Sequence, residues 1–439
     1  MYGVHIYEQH SILTEQHTGF HLKMIIPIPY GTTNLKIEAD EKYILDVISP
    51  RECGSGNNEK ILKNAVDHPL GDESLSDFLK DIGRVNVVVN DAARPTRTAA
   101  VISIISDLIR DQDTHFVVAT GAHRSPDEFE LMDIFGNHYD RYKDRITIHD
   151  SRNDSTHYYL GRTRHGNEMW LNNKTAKQDR ILVIGSIEPH YFAGYTGDRK
   201  ALLPGIAANR TIEQNHSLAL HANARPLKLD GNPVHEEMID CASALGRKRI
   251  YSIQMIMDKH QNICKAYTGP IIRTLETATD DARHIFSARI IRKADIVVTV
   301  AQRPFDINLY QTLKSIEHGR LALNEGGILI FVSPCTEGLG PESFARLFEN
   351  EDAIQNAAKK ARSRYSLGDH NAYNLKTLRE YGEIWAVTEI AEPNLAVAGI
   401  CRFDSLQVAV NQAIREKEKI HSLLFLTNGS LTVPEINRY

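Results

Sequence analysis

The stretch VNVVVNDAARPTRTAAVISIISDLIRDQDTHFVVATGAHRSPDE, Val85 to Glu128, decides the fold. Its first six residues are a near-continuous apolar run of strand length, and Thr98 to Arg110 then repeats apolar residues at Val101, Ile104, Ile105 and Leu108 with the period of a helix. Phe116 to Thr120 is a second apolar strand. Ser125, Pro126 and Glu128 open another helix with an N-cap, a first-turn proline and a capping-box acid. A strand-loop-helix unit repeated in this way implies a mainly parallel sheet covered on both faces.

Outward from this stretch, Ile146 to His149 and Ile181 to Gly185 add strands, and the polar turn Arg164 to Asn167 between them reads as an inserted hairpin. The amphipathic stretch Ile271 to Ile291 carries the chain onward. Ile296 to Ala301, Ile328 to Val332 and Ile384 to Val387 are then three strands separated by helices. The expectation is an α/β protein of two domains, each a mainly parallel sheet flanked by helices, with the active site in the cleft between them. The N-terminal domain would span 1–285, with 420–439 open to joining it, and the C-terminal domain 286–419.

With 439 residues and 42% hydrophobic content, the chain can bury cores of that size. The 51 Lys+Arg against 56 Asp+Glu leave no basic surplus for a nucleic-acid backbone. The apolar runs are far short of the roughly 20 residues of a membrane span. Met1 to Gln16 lacks the cationic start and apolar block of a secretory signal, so a cytoplasmic protein is expected, without nucleic-acid or membrane partners. Cys53, Cys241, Cys264, Cys335 and Cys401 are scattered singly, which reads as core residues and argues against a disulfide framework or a cysteine-built zinc site.

In α/β folds ligands sit at the carboxyl ends of strands, so the loops there carry the chemistry. Four are rich. Asp91 to Thr98 joins arginines and hydroxyls to a helix start, which suits an anion, although a capped helix with solvated arginines has the same pattern. Ala119 to Arg124 places His123 after a glycine at a strand end, as consistent with structure as with catalysis when taken alone. Gly185 to Lys200, continuing through Leu203-Pro204-Gly205, supplies glycines, a titratable His190 and the amine of Lys200. Its spacing is not that of a P-loop, and no G-x-G-x-x-G follows a strand, so a nicotinamide enzyme loses its main support. The following helix brings His216. In the second domain Asp306 to Lys314 sets Tyr310, Gln311 and Lys314 along one helix, with Gln311 and Lys314 at i, i+3 on one face; a solvated face is the bland alternative.

Together these loops resemble the nickel-pincer lactate racemase family, from about Asn90 to about Glu383. The match is carried by GSIEPHYFAGYTGDRKALLPGIA (185–207), supported by ATGAHR (119–124), DINLYQTLK (306–314) and EGLGPESF (337–344). The resemblance implies an isomerase, a racemase or epimerase of a 2-hydroxy carboxylic acid. It implies a cofactor, the nickel complex of pyridinium-3,5-bisthiocarboxylic acid mononucleotide, attached at Lys200 with His216 on the metal. A soft sulfur and imidazole donor set suits nickel. His123 and His190 would be the acid/base pair, one taking the hydroxyl proton as hydride moves to the pincer ring, the other acting on the opposite face. Arg94, Gln311, Lys314 and Tyr310 would hold the carboxylate, and Asp91, Ala93, Gly194, Thr196 and Gly197 would line the cofactor. The partners implied are a small hydroxy acid and the enzymes that build the cofactor.

Where the family has Ser-Gly-Gly, this chain has Thr196-Gly197-Asp198, a charge either for a substrate hydroxyl or for solvent. Ala93 replaces a threonine and removes a hydroxyl donor. Ala301-Gln302-Arg303-Pro304 replaces a Gly-Gly-aromatic-Pro stretch, making Arg303 available to a second carboxylate. Polar residues at Gly368-Asp369-His370-Asn371 replace a tryptophan, which implies a substrate larger or more polar than lactate. Two other classes remain open: a non-catalytic protein that binds or delivers the pincer nucleotide, and an enzyme that forms a Schiff base at Lys200.

Overall fold

The computed structural model describes residues 22–436 apart from 55, 81–82, 95, 111, 362–363 and 418–421, so the reading of Met1 to Gln16 lies outside the described residues. Two compact units emerge: one of 50–286 with 357–370, the other of 22–49, 287–356 and 371–436. Strands β1 (Lys23–Tyr30) and β2 (Thr33–Asp40) pair as an antiparallel hairpin, and β3 (Ile44–Ile48) follows.

In the unit beginning at residue 50, the chain runs through β4 (Arg84–Asn90), helix α1 (Thr98–Ile109), β5 (Asp113–Ala119), α2 (Glu128–Phe135) and β6 (Ile146–Ile148). The inserted hairpin is present as β7 (His157–Arg162) and β8 (Glu168–Asn172). After β9 (Ile181–Ser186) comes the short pair β10 (Pro189–His190) and β11 (Gly194–Tyr195), then α3 (Asn209–Ser217) and α4 (Pro233–Leu245). β12 (Ile250–Met257), β13 (Ile263–Pro270) and α5 (Arg273–Phe286) complete it. The sheet order is β13-β12-β9-β4-β5-β6, parallel except between β12 and β13.

The apolar runs follow from burial on both faces. Val85, Val87 and Val89 of β4 enter one core with Val101 and Ile105 of α1, while Val88 enters the other with Val117, Val183 and Leu203. Each such side chain contributes about 1.5–3 kcal/mol relative to exposure. The helix after β5 begins two residues later than Ser125 predicts. Asp127 is the N-cap and Glu130 closes the capping box, because Glu130 is also held by Arg124 at 2.7 Å.

The second unit contains β14 (Ser287–Ile290), β15 (Ala294–Val300), α6 (Leu309–Leu321), β16 (Leu323–Val332), β17 (Glu383–Val387), β18 (Ile400–Phe403), β19 (Leu423–Leu426) and β20 (Val433–Ile436). Its parallel sheet has the order β18-β17-β16-β15-β19-β3. Ile26, Ile28 and Ile37 of the first hairpin bury against Ile296, Val298 and Ile330 of this sheet.

Two expectations are corrected here. Residues 22–49 and the segment after 420 both belong with the C-terminal unit, because β19 inserts between β15 and β3 and supplies hydrogen bonds to each. The reading of every cysteine as an isolated core residue also fails, since Cys53 and Cys264 form a disulfide with Cα atoms 5.3 Å apart. They are 211 residues apart, so no local spacing signals their pairing. Cys241 and Cys335 are buried as expected, and Cys401 is exposed.

Ile184 is fully buried in central β9. Ile184→Ala should lower the unfolding free energy by about 2–5 kcal/mol, read from urea denaturation.

Candidate functional site

The loop from Gly185 to Gly205 folds inward. Glu188 donates its amide to the Thr196 hydroxyl at 2.7 Å, and that hydroxyl in turn contacts the Glu188 carboxylate, tying the ends of the β10–β11 hairpin together. A Cβ on Gly194 would lie 2.3 Å from the Lys228 carbonyl oxygen and one on Gly197 2.6 Å from Gln254 Oε1, so both positions demand glycine for close approach of the chain to itself. Packing thus places its own demands on Gly194, Thr196 and Gly197.

Asp198 neither points outward nor faces an open site. It is fully buried, and its Oδ2 accepts from Ile272 N at 3.0 Å, Leu275 N at 3.1 Å and Thr274 Oγ1 at 2.7 Å, capping α5 from a distant part of the chain. Arg199 is equally buried. Its guanidinium donates to the carbonyls of Ala193, Thr196 and Gly197, and its Nε donates to His235 Nδ1 at 3.0 Å.

This scaffold presents the reactive side chains. His190 lies on β10 and Lys200 on the turn Asp198–Ala201, while His216 lies in the last turn of α3. Asn215 Nδ2 anchors α3 by donating to Val234 O and Glu237 Oε2, each at 3.1 Å. Phe192 sits at the centre, its ring 4.5 Å from that of His190, 5.0 Å from that of His216 and 5.7 Å from Lys200 Nζ. Burial pushes the Lys200 amine well below the ordinary lysine range, with Arg94 and then Arg199 adding repulsion. Burial, followed by the neighbouring Lys200, likewise pushes the His216 imidazole well below the ordinary histidine range. Its Nδ1 is buried with no well-formed hydrogen bond among the described residues. A buried amine whose pKa is pushed down, beside a buried imidazole pushed the same way, is the donor chemistry that a lysine-tethered soft-metal group requires.

His123 follows β5. The amide of Gly121, at positive φ, donates to Gly205 O at 2.9 Å and so docks this loop on the one just described. His123 Nδ1 lies 2.7 Å from Asp91 Oδ2. Asp91 thus braces the His123 ring. The Asp91 loop is stitched by Asn90 Nδ2 donating to Thr96 Oγ1 at 2.7 Å and by the Thr96–Ser186 hydroxyl contact at 2.9 Å.

Sequence reasoning missed Tyr191, Phe192 and Tyr365 and saw in His370 only a change of polarity. His370 is buried with its Nε2 3.0 Å from Tyr191 Oη and its Nδ1 2.6 Å from Tyr365 Oη, and its ring is 5.3 Å from Phe192. The run His190-Tyr191-Phe192 was the visible signal of a ring cluster.

In the other unit, Asn308 Oδ1 caps α6 by accepting from Gln311 N at 3.0 Å, and Gly338 and Leu339 accept from the amides of Leu309 and Tyr310. The EGLGPESF segment thus satisfies the helix start. Lys314 Nζ donates to Gln311 Oε1 at 2.6 Å and lies 4.2 Å from the Phe305 ring centre. Tyr310 packs on Phe344 with centroids 5.4 Å apart, and Arg303 is exposed.

Two family models match this chain: the lactate racemase N-terminal domain over residues 30–226 and the lactate racemase C-terminal domain over 289–428. The chain belongs to the lactate racemase family. Among curated relatives, the lactate racemase of Thermoanaerobacterium thermosaccharolyticum is 29% identical over 77% of this chain and 81% of its own length, and that of Lactiplantibacillus plantarum 26% over 73% and 77%. The solved lactate racemase apoprotein from T. thermosaccharolyticum superposes with a TM-score of 0.85 at 24% identity, covering 94% of this chain and all of that one. A protein from Thermotoga maritima has a TM-score of 0.68 at 16% identity, over 88% of this chain and all of its own. Membership in the lactate racemase family makes the chain an isomerase and implies a nickel-dependent cofactor. Among the described residues, no helix is long and apolar enough to cross a membrane.

Two measurements test this description. Asp198→Ala leaves three donors at the start of α5 without their acceptor and should destabilise the fold by about 2 kcal/mol or more; a contact with substrate alone would leave urea unfolding unchanged. His370 is pushed down to about 3 by burial, against 6.5 for a free histidine. The unfolded chain therefore takes up this proton first, so the stability present above pH 6.5 is lost as pH falls from there toward about 3. The slope should reach about 1.4 kcal/mol per pH unit for each such histidine, measured by urea unfolding at pH 7 and pH 5.

Proposed function

We propose that the chain racemises or epimerises a 2-hydroxy carboxylic acid larger or more polar than lactate, with a nickel-pincer nucleotide tethered at Lys200 and His216 as the metal ligand. The observation that carries this reading is the convergence on Phe192 of the buried Lys200 amine, the buried His216 imidazole and His190, the first two pushed toward their uncharged forms by burial. When bound, the cofactor would supply a reversible acceptor for hydride. The protein's own residues would bind the acid and handle protons.

Asp91 accepts the Nδ1 proton of His123, which leaves Nε2 as the base for a 2-hydroxyl proton. The Ala193 amide donates to His190 Nδ1 at 3.3 Å, so neutral His190 carries its proton on Nε2 and meets a substrate oxygen as a donor. The two histidines thus stand in complementary states. Converting both enantiomers requires them to exchange roles. Arg94 supplies a guanidinium for an anionic group, and Gln311, Lys314 and Tyr310 supply donors for a carboxylate. The polar Tyr191–His370–Tyr365 set beside Phe192 supports a substrate with more hydrogen-bonding groups than lactate.

The amine of Lys200 also suits a Schiff base, and one measurement separates the readings. Protein made together with cofactor-synthesis enzymes should carry a mass adduct on the Lys200 peptide with bound nickel, and Lys200→Ala should lose it. An unmodified, nickel-free Lys200 that is trapped by borohydride with a keto acid would reverse the assignment. His123→Ala and His190→Ala should each retain nickel yet lose about 10²–10⁴-fold in interconversion. Full activity in either would remove the two-histidine mechanism, and a loaded wild type that turns over no hydroxy acid would indicate a binding or delivery protein.

A further inference from the structure

Outside the site described, one cluster stands apart: Cys53, Cys264 and Asp258, whose ligand atoms lie within 4.8 Å of one another. Cys53 is exposed on the segment leading to the helix Asn58–Asp67, and Cys264 is half-buried on β13, the edge strand. Asp258 is buried and builds the turn between β12 and β13. Its Oδ1 accepts from His260 N at 2.9 Å and Asn262 N at 3.0 Å, and its Oδ2 from Asn262 Nδ2 at 3.2 Å and Cys53 N at 3.3 Å. Both oxygens are thus occupied by donors and have little capacity left for a metal ion. The sulfurs are joined to each other instead.

The turn so held has a second attachment. Gln261, at φ +60°, offers its carbonyl to Arg97 Nε at 2.6 Å, and Arg97 is the N-cap residue of α1, at the end of the loop that carries Asp91 and Arg94. Besides the disulfide, the 52–58 segment is tied to the turn region by the Cys53 amide contact, by Lys259 Nζ to Glu52 at 2.6 Å, and by Ile263 N to Asn58 Oδ1 at 2.9 Å. The lysine pair is partly exposed and contributes little.

We propose that Cys53 and Cys264 form a reversible thiol–disulfide site that, when oxidised, pins the 258–262 turn and, through Arg97, steadies the Asp91–Thr98 loop. The oxidant is a small-molecule disulfide. The Cys53 thiolate, the accessible one, attacks it to give a mixed disulfide and one released thiol. Cys264 then attacks the Cys53 sulfur and expels the second thiol. Two protein thiols lose two electrons and two protons, and one small disulfide becomes two thiols.

The test uses the full-length protein, reduced with dithiothreitol or treated with glutathione disulfide, and reads thiols and backbone exchange rather than turnover, so it stands apart from the pincer assignment. Oxidation should produce a cross-linked Cys53–Cys264 peptide, remove two titratable thiols and slow hydrogen exchange in 91–98 by about threefold or more. Cys53→Ser, or reduced wild type alkylated with iodoacetamide should folding of the variant fail, should exchange at the reduced rate under both conditions. Arg97→Ala should keep the cross-link and lose the difference in 91–98. Absence of the cross-linked peptide, identical exchange in the two states, a full difference retained in Arg97→Ala, or stoichiometric zinc that blocks oxidation of the reduced chain would each overturn the proposal.

Discussion

A carboxylate buried without an adjacent full counter-charge on its own oxygens needs fixed donors, and Asp198 finds three at the start of α5. That requirement determines the path of the loop that bears His190 and Lys200. With Asp198 held against α5, Arg199 is directed to the carbonyls of residues 193, 196 and 197, and Lys200 is left facing Phe192. Gly194 and Gly197 follow from the same constraint, since the loop passes closer to Lys228 and Gln254 than any Cβ allows. Two buried polar side chains therefore serve to position a third group, the amine, whose pKa burial pushes down.

Much of this was legible because the relevant physics is local. The β4 run, the α1 period and the β7–β8 turn are short-range patterns, and each appears within a residue or so of its expected limits. The 271–291 stretch was harder, because its apolar period continues through α5 into β14, where pairing with β20 ends the helix. β3 could not be placed from its sequence. Its five residues, ILDVI, are mostly half-exposed, and its identity as a sheet strand depends on β19.

The site divides in the same way. His123 and Lys200 stand in loops, His190 on the short β10 and His216 on the helix that follows, and the compound motif holds His190 and Lys200 together. Asp198 read as a charge for a substrate hydroxyl or for solvent because a charge in a glycine-rich turn usually meets one of the two, and its partners lie more than 70 residues onward. Tyr365 and His370 belong to the site unit through contacts with Tyr191 and Phe192 that sequence spacing does not express. The distinct settings of His123 and His190 are likewise invisible in sequence, since a carboxylate on one Nδ1 and an amide on the other are matters of tertiary position.

The discontinuity of the second unit bears on how the chain is made. Residues 50–286 are contiguous apart from a short later addition, so the ribosome releases nearly all of that unit before the other can close. β3 emerges early, yet its neighbour β19 is translated last but one among the described strands. During the interval β3 and the apolar faces of the β1–β2 hairpin have no completed sheet to join, and they must wait, shielded or solvated, while a whole domain folds behind them. Biosynthesis thus turns a topological detail into a period of exposure, concentrated on a hairpin rich in isoleucine.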